Sequence, residues 1–389
     1  MTSLTSAAAP DVLRPPRRRS ARLILGVWLA TRLLMAVALF VAMQRGGLSL
    51  TRALGNWDVQ HYLAISTSGY SAAKEMAFFP AMPAVMRLFS LVGVPAVIGA
   101  AVFSQIATVV AAFAVERLGG LYAALAWLLV PMAVFTTVGY TEALFCAVAF
   151  WAWVFARRGR WGWASLLAAV ACCTRISGLF LVGGLGLLAL LGGERTVAGA
   201  VPVKSVGSWV RRLRNLAWLA VPLAALALFS AYLYSRTGHW DSWLSAQRTG
   251  WQREWTSPWQ GLRNTMDATS AARWPDDPGI AWMFRFDIAS MALGCVTTVV
   301  CLVRRAWAQA GYVIVQVFAF SIATWFMSAS RADLLWFPLF IVIGSVVSWT
   351  PTGAGSRTAK AAVLGALIAA DLMLMFWWAL RFYAGQWAG

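Results

Sequence analysis

The stretch LILGVWLATRLLMAVALFVAM, residues 23–43, decides the fold class. Its apolar character is continuous for about 20 residues, the length that an α-helix needs to cross the hydrocarbon core of a bilayer. Inside a bilayer only helices and closed barrels satisfy their own backbone hydrogen bonds, and this stretch lacks the alternating pattern of a barrel strand. It therefore predicts a membrane-spanning helix, with Arg32 as a charged residue that faces a structural partner or a water-filled cavity inside the bundle.

The rest of the chain repeats this pattern. Of 389 residues 60% are apolar and only 12% are charged, which is far from the usage of soluble domains. We predict an all-α polytopic membrane protein with about 11 transmembrane helices. Their apolar segments lie near residues 21–43, 95–115, 119–137, 141–156, 161–173, 177–191, 215–235, 284–303, 306–327, 333–349 and 361–382. Several are short, so some spans are expected to be tilted, joined or broken.

The formal net charge of +18 does not indicate nucleic acid, because the basic residues fall in short clusters between apolar segments. Clusters such as RPPRRRSAR, residues 14–22, favour cytoplasmic anchors beside anionic lipid headgroups. We expect residues 1–20 to form a disordered basic cytoplasmic tail and residues 21–389 to form a single transmembrane domain. The five cysteines lie within apolar segments, and neither of the two histidines has metal-ligand spacing, so we expect no disulfide framework and no zinc site.

Topology depends on residues 78–93, FFPAMPAVMRLFSLVG, which are apolar but short and contain two prolines and an arginine. If this segment is re-entrant or interfacial, the later basic loops fall on the side of the N-terminus, as the positive-inside rule requires. The opposite, outer side then receives a first outer loop at 44–94, with interfacial helices, and a Trp-rich outer loop at 236–283. Most of the polar groups lie on that side, which predicts a site open to the outer leaflet.

Five segments together resemble the PIG-V family, the transferases that add the second mannose of GPI anchors, together with their bacterial homologues. The first joins WDVQHYLAI, residues 57–65, and GY, residues 69–70, to EMAFFPAMP, residues 75–83. The others are VPMAVFTTVGYTEALF (130–145), CTRISGLF (173–180), SWLSAQRTGWQREWTSPW (242–259) and SRADLLWFPLF (330–340). The resemblance implies a GT-C-type bundle and an inverting glycosyltransferase that uses a polyprenyl-phosphate sugar, with mannose as the expected sugar, on the non-cytoplasmic face.

The resemblance also implies a catalytic base, because an acidic residue in the first outer loop has that role in the superfamily. Asp58 occupies that position, and a helix N-cap is the alternative for its carboxylate. If residues 58–66 are helical, Asp58 shares one face with His61 and Tyr62. The expected substrate-binding residues are His61, Tyr62, Glu75, Tyr140, Glu142, Arg175, Gln247, Trp251, Arg253 and Arg331.

Several of these residues also have a purely structural interpretation. Arg175 and Arg331 can grip a phosphate, or they can reach lipid headgroups from the ends of spans. Glu142 begins a helix, where the helix dipole stabilises a carboxylate, and Glu75 can simply solubilise its loop. Most tryptophans of the 236–283 loop fit an interfacial belt, whereas Gln247 and Trp251, one helical turn apart, are the better candidates for sugar contact.

The partners expected from the resemblance are polyprenyl-phosphate mannose, a glycolipid or lipoglycan acceptor and membrane lipids, with no cofactor beyond the lipid-linked donor and a divalent metal not excluded. Alanine, arginine and tryptophan richness favours a bacterial plasma membrane. Two other functions stay open at this point. One is a lipid or sugar transporter or flippase, which the lack of repeat symmetry and the one-sided polar groups disfavour. The other is a non-catalytic partner that binds a lipid-linked sugar for another enzyme.

Overall fold

The computed structural model describes residues 18–191 and 209–389. Within these ranges the chain is helical apart from its turns and loops and one isolated β-bridge between Trp255 and Ala323, so the all-α prediction is confirmed. The expected tail at 1–20 lies outside the described residues as far as residue 17. Within the described range the first helix spans Arg18–Gly46, and the boundary of the basic tail stays a prediction.

The helices of the first described range include two of span length and several shorter ones. They are α1 (Arg18–Gly46), α2 (Leu50–Leu54), α3 (Asp58–Ser68), α4 (Ala81–Leu91), α5 (Ala96–Gly119), α6 (Leu121–Leu128), α7 (Thr141–Arg157), α8 (Trp161–Cys172) and α9 (Ser177–Leu191). Two 3₁₀ helices, Ala73–Ala77 and Pro131–Thr136, interrupt this series. The predicted first outer loop thus carries its own short helices, α2 to α4.

The second described range is also made of long and short helices. Its helices are α10 (Trp209–Trp218), α11 (Ala220–Thr237), α12 (Ser242–Trp251), α13 (Pro258–Ala268), α14 (Gly279–Val303), α15 (Trp307–Ser321), α16 (Ala329–Ala332), α17 (Phe337–Ser348) and α18 (Ala354–Tyr383). The 3₁₀ helices here are Ala271–Arg273 and Asp333–Leu335. Neighbouring helices pack in pairs, such as α5 with α7, α14 with α15 and α1 with α18.

Five helical stretches of the described chain are long and apolar enough to cross a membrane. They are Arg18–Gly46, Ala96–Gly119, Trp209–Thr237, Gly279–Val303 and Ala354–Tyr383. A sixth candidate is the pair Ala329–Leu335 and Phe337–Ser348, whose axes bend by 73°. Other apolar segments form helices shorter than a full span, as α8 and α9 do. An integral membrane protein is confirmed, and the number of about 11 crossings stays a prediction.

Helix α4 forms most of the segment 78–93 that is predicted to be re-entrant or interfacial, and it is short. Its 11 residues extend for about 16 Å, roughly half of the hydrocarbon thickness. The helix packs against α3 and α5 and turns away through Gly93, whose φ of 78° lies in the region that glycine occupies without strain. By itself α4 is thus too short to cross, although its re-entrant placement stays a prediction.

The apolar segment near 119–137 is broken, because α6 ends before Pro131 and a kinked 3₁₀ helix follows. Arg32 of α1 fixes this break. Its guanidinium donates to the hydroxyls of Thr136 and Thr137 and to the carbonyl of Ala133. The intramembrane arginine therefore has a structural partner, and the backbone that it holds leads directly to residues 140–142.

Candidate active site

Four separate parts of the chain meet in one ionic cluster at one end of the bundle. Asp58 is the first residue of α3, Glu142 is the second residue of α7, Arg175 lies in the turn between α8 and α9, and Arg331 lies in α16. These residues were expected to share a side of the membrane on sequence grounds. Their contact places the loops that carry them at the same end of the molecule.

Arg331 lies at the centre of this cluster and contacts both carboxylates. Its Nη2 donates to Asp58 Oδ2 at 3.2 Å and to Glu142 Oε1 at 2.7 Å, and its Nε also donates to Glu142 Oε1, at 3.0 Å. The guanidinium carbon lies 4.8 Å from the ring centroids of both Phe135 and Tyr140. Ion pairing and two aromatic faces together fix the position of this cation.

Glu142 is fully buried and serves as the common anion for two arginines. Its Oε1 also forms an ion pair with Arg175 Nη1 at 2.9 Å. Its other oxygen, Oε2, is buried and has no hydrogen-bond partner among the described residues. Glu142 thus does more than interact with its own helix dipole, because it determines where two guanidinium groups lie.

Asp58 does not cap its helix, since Trp57 occupies the N-cap position and makes no side-chain capping bond. The Asp58 backbone N–H donates to the hydroxyl of Tyr140 at 3.2 Å, and the carboxylate reaches Arg331 instead. The Asp58 side chain retains 19% of its exposure, compared with 0% for Glu142. Of the two carboxylates in the cluster, Asp58 is the one that an incoming group can reach.

An aromatic wall adjoins the carboxylate. The imidazole of His61 stacks on the ring of Phe78 with 4.7 Å between centroids, and Trp251 meets both rings edge-on at 6.0 and 5.3 Å. Tyr62 also packs edge-on against Phe78, and its burial raises the pKa of its hydroxyl. Partial burial lowers the pKa of His61 although Asp58 opposes the shift, so the imidazole is neutral at pH 7.

Arg253 brings a third guanidinium to the same region. Its Nη2 donates to the carbonyl of Met327 at 2.9 Å, and its buried Nε has no acceptor among the described residues. Burial lowers the pKa of Arg253 to about 10, with Arg331 and Arg175 adding repulsion. Three guanidinium groups therefore lie near the carboxylates of Asp58 and Glu142, and Asp287 also attracts Arg253.

Two expected binding residues have other contacts. Glu75 is buried, and its Oε2 accepts the backbone N–H groups of Ser71 and Ala72 at 2.7 Å each, so this oxygen closes the turn after α3. Gln247 lies one helical turn before Trp251 in α12, as expected. Its backbone carbonyl accepts the backbone N–H of Arg253. The substrate roles of both residues stay predictions.

Sequence reasoning missed two residues that shape the site. Phe78 provides the surface on which His61 and Trp251 pack, and its place in the FFP string was the only available signal. Asp287 of α14 is buried and accepts the backbone N–H groups of Ser328 and Ser330, which holds the turn before Arg331. An acid inside an apolar span was the signal for Asp287. In the two described ranges no three His, Cys, Asp or Glu side chains are grouped to hold a metal ion.

Sequence comparison with known proteins finds one family model and several curated relatives. Residues 28–193 match the family model described as mannosyltransferase (PIG-V), which confirms the predicted resemblance over this range. GPI alpha-1,6-mannosyltransferase 2 of Rattus norvegicus is 33% identical over 208 residues, which are 48% of this chain and 42% of that protein. The human protein of the same name is 34% identical over 153 residues, 34% of this chain and 31% of that one.

The chain therefore matches less than half the length of these curated relatives. Among solved structures, ArnT from Cupriavidus metallidurans bound to undecaprenyl phosphate is similar with a TM-score of 0.49 and 15% identity, over 92% of this chain and 75% of that one. The family match includes Asp58, Glu142 and Arg175, whereas Arg253 and Arg331 lie beyond its end.

Proposed function

From the PIG-V mannosyltransferase pattern of residues 28–193, we propose that this protein is an inverting mannosyltransferase that takes mannose from a polyprenyl-phosphate donor. The single observation that carries the proposal is the ionic cluster in which Asp58, the more exposed of its two carboxylates, pairs with the buried Arg331, which shares Glu142 with Arg175. This arrangement puts a proton acceptor next to a phosphate-binding surface. Sugar transfer from a lipid phosphate requires both.

Asp58 is the proposed general base. The acceptor hydroxyl oxygen attacks the anomeric carbon of mannose and forms the new glycosidic bond, while Asp58 takes the hydroxyl proton. The bond from the anomeric carbon to the phosphate oxygen breaks, and the bonding electrons leave with the polyprenyl phosphate. Attack from the face opposite the leaving group inverts the anomeric configuration.

The three arginines are the proposed phosphate site. Arg331 already contacts two carboxylates, so Arg175 and Arg253 have the greater spare donor capacity. The buried Nε of Arg253 has no acceptor in the described chain, and a phosphate oxygen would satisfy it. The guanidinium groups of the cluster favour the leaving group as its negative charge grows.

The aromatic wall is the proposed sugar contact. Indole and phenyl faces suit the apolar faces of a pyranose, and Trp251 and Phe78 lie beside the helix that begins with Asp58. The neutral imidazole of His61 can donate one hydrogen bond and accept another, which suits hydroxyl groups. The proposed acceptor is a glycolipid or lipoglycan, and the proposed location is the outer face of a bacterial plasma membrane.

The test is transfer of radiolabelled mannose from polyprenyl-phosphate mannose to extracted membrane lipids by the purified protein in lipid nanodiscs. We expect Asp58→Asn to lower the rate by about 10² to 10⁴, the contribution of a positioned base, while the protein still folds. Asp241→Asn is the matched control, because Asp241 is exposed at the start of α12 and makes no capping bond. Normal turnover by Asp58→Asn would remove Asp58 as the base.

A further inference from the structure

Residues 384–389, which follow α18, contact both the ionic cluster and the residue that precedes Asp58. We call them the 384–389 strap. The carbonyl of Gln386 accepts the indole N–H of Trp57 at 3.1 Å, and the carbonyl of Gly389 accepts Arg331 Nη1 at 3.2 Å. The strap thus touches the residue before Asp58 and also the guanidinium that pairs with Asp58.

The strap is itself firmly held. Arg381 donates to the carbonyl of Trp387 through Nε at 3.1 Å and Nη2 at 2.8 Å, and it also grips Asp277 with two hydrogen bonds, of 3.0 and 2.7 Å. The indole of Trp378 donates to the carbonyl of Ala388, which is buried. A bidentate ion pair behind the strap therefore connects it to the loop before α14.

The residue that the strap contacts has an unusual backbone. Trp57 has φ of 55° and ψ of −123°, a combination that glycine adopts easily and that other residues avoid. The preceding Asn56 donates to the carbonyl of Phe382 at 2.9 Å, which ties the same turn to the end of α18. Contacts with α18 and the strap thus hold a strained turn directly before Asp58.

We infer that the 384–389 strap, with the Arg381–Asp277 pair behind it, is a positioning element that sets the distance between Asp58 and Arg331. The inference rests on the proposed transferase function. Without the strap the Trp57 turn relaxes to an ordinary conformation, which rotates the first turn of α3 and moves the Asp58 carboxylate. A displacement of about 1 Å at a reacting group can cost as much as 10²-fold in rate.

Two substitutions away from the reacting atoms test this inference. Trp57→Phe keeps an aromatic ring but deletes the indole N–H that the Gln386 carbonyl accepts, and Asp277→Asn weakens the pair that holds Arg381. We expect each to lower kcat by about 10-fold or more while the KM for polyprenyl-phosphate mannose stays within about twofold. The matched controls are Trp240→Phe, an exposed ring stacked on Tyr234, and Asp276→Asn, and both should turn over normally.

Hydrogen exchange gives a readout that does not depend on activity. The backbone N–H groups of Asp58, Val59 and Gln60 donate to Tyr140, Asn56 and Trp57, so they report directly on the turn. We expect faster exchange at these three amides in Asp277→Asn and no change in Asp276→Asn. Exchange that rises only around residues 277 and 381–389 would overturn the inference, as would an unchanged kcat in both substituted proteins.

The two proposals fail in different ways. If the unsubstituted protein transfers no mannose to any lipid acceptor, the proposed function fails, and exchange at residues 58–60 alone decides the role of the strap. If transfer occurs but Trp57→Phe and Asp277→Asn lower kcat only in proportion to a lower unfolding temperature, the function stands and the positioning role is wrong.

Discussion

The two ends of helix α7 have arginines in very different surroundings. At its first turn, Glu142 gathers Arg175 and Arg331 around one buried oxygen. At its last turn the chain passes through Arg157, Arg158 and Arg160 in an exposed or half-exposed turn closed by Gly159. Near that second end Glu116 forms a 3.5 Å pair with Arg117, whose charge acts on Arg158.

The contrast separates two uses of the same side chain. Arginines in an exposed basic turn suit headgroups and orientation in the membrane, and they tolerate loose geometry. Arginines that share a buried carboxylate have fixed positions, because leaving any one partner unpaired in a dry site is costly. Fixed positions are what catalysis of sugar transfer requires.

The largest expected effect comes from Glu142, with Glu116 as the matched control. Glu142→Gln leaves the buried Arg331 and the partly buried Arg175 without their shared anion, so we expect it to lower the free energy of unfolding by about 3 kcal/mol and to abolish mannose transfer. Glu116→Gln removes a partly exposed pair and should cost less than about 1 kcal/mol. Thermal unfolding in detergent and the transfer assay check both, and equal effects of the two substitutions would contradict the distinction between the ends.

An intermediate effect is expected from exchanging arginine for lysine. Arg253→Lys loses the forked donor group whose Nε has no acceptor among the described residues, so we expect the KM for the lipid-linked donor to rise about 10-fold with a smaller change in kcat. Arg160→Lys, in the exposed turn at the other end, keeps its charge and should leave both constants unchanged. A normal KM for the donor in Arg253→Lys would show that Arg253 does not bind the donor phosphate.

The smallest effect concerns pH. Burial lowers the pKa of His61 in the folded protein, so the unfolded chain binds a proton at a higher pH than the folded one does. The stability that comes from keeping His61 neutral is therefore fully present above the ordinary histidine pKa of about 6.5. It is lost as the pH falls from there toward the lowered pKa of the folded protein. His61→Gln should flatten this part of the stability curve, measured as unfolding temperature between about pH 5 and 7. An unchanged slope would show that His61 does not titrate there.

How much the sequence could predict depends on the range of the interaction. Hydrophobic length predicted the helices, and the Asp58–His61 spacing predicted a shared face in α3, because both are local properties. The pairing of Arg331 with Asp58 could not be derived, since 273 residues separate them and only packing brings them together. The pairing of Glu142 with both Arg175 and Arg331 could not be derived for the same reason.

Other features were hidden because they depend on a few backbone angles. The Pro-containing segment at 131–136 was expected to be part of a span, and the kink at Met132 appears only in three dimensions. The strained turn at Trp57 has no sequence signal, because the residue type argues against the conformation that it adopts. Glu75 was a candidate for substrate contact, and the turn that its Oε2 closes could not be foreseen from its loop position.

The 17 residues of α7 have a consequence for the kind of donor that fits. From Glu142 to Arg157 the helix rises by about 22 Å, whereas the hydrocarbon layer is about 30 Å thick. If the arginine end lies at one water boundary, as the positive-inside rule predicts, the glutamate lies several ångströms below the opposite one, at the depth of the acyl chains. A sugar carried on a long isoprenoid can enter sideways at that depth, whereas a water-soluble sugar nucleotide would first have to shed its hydration shell.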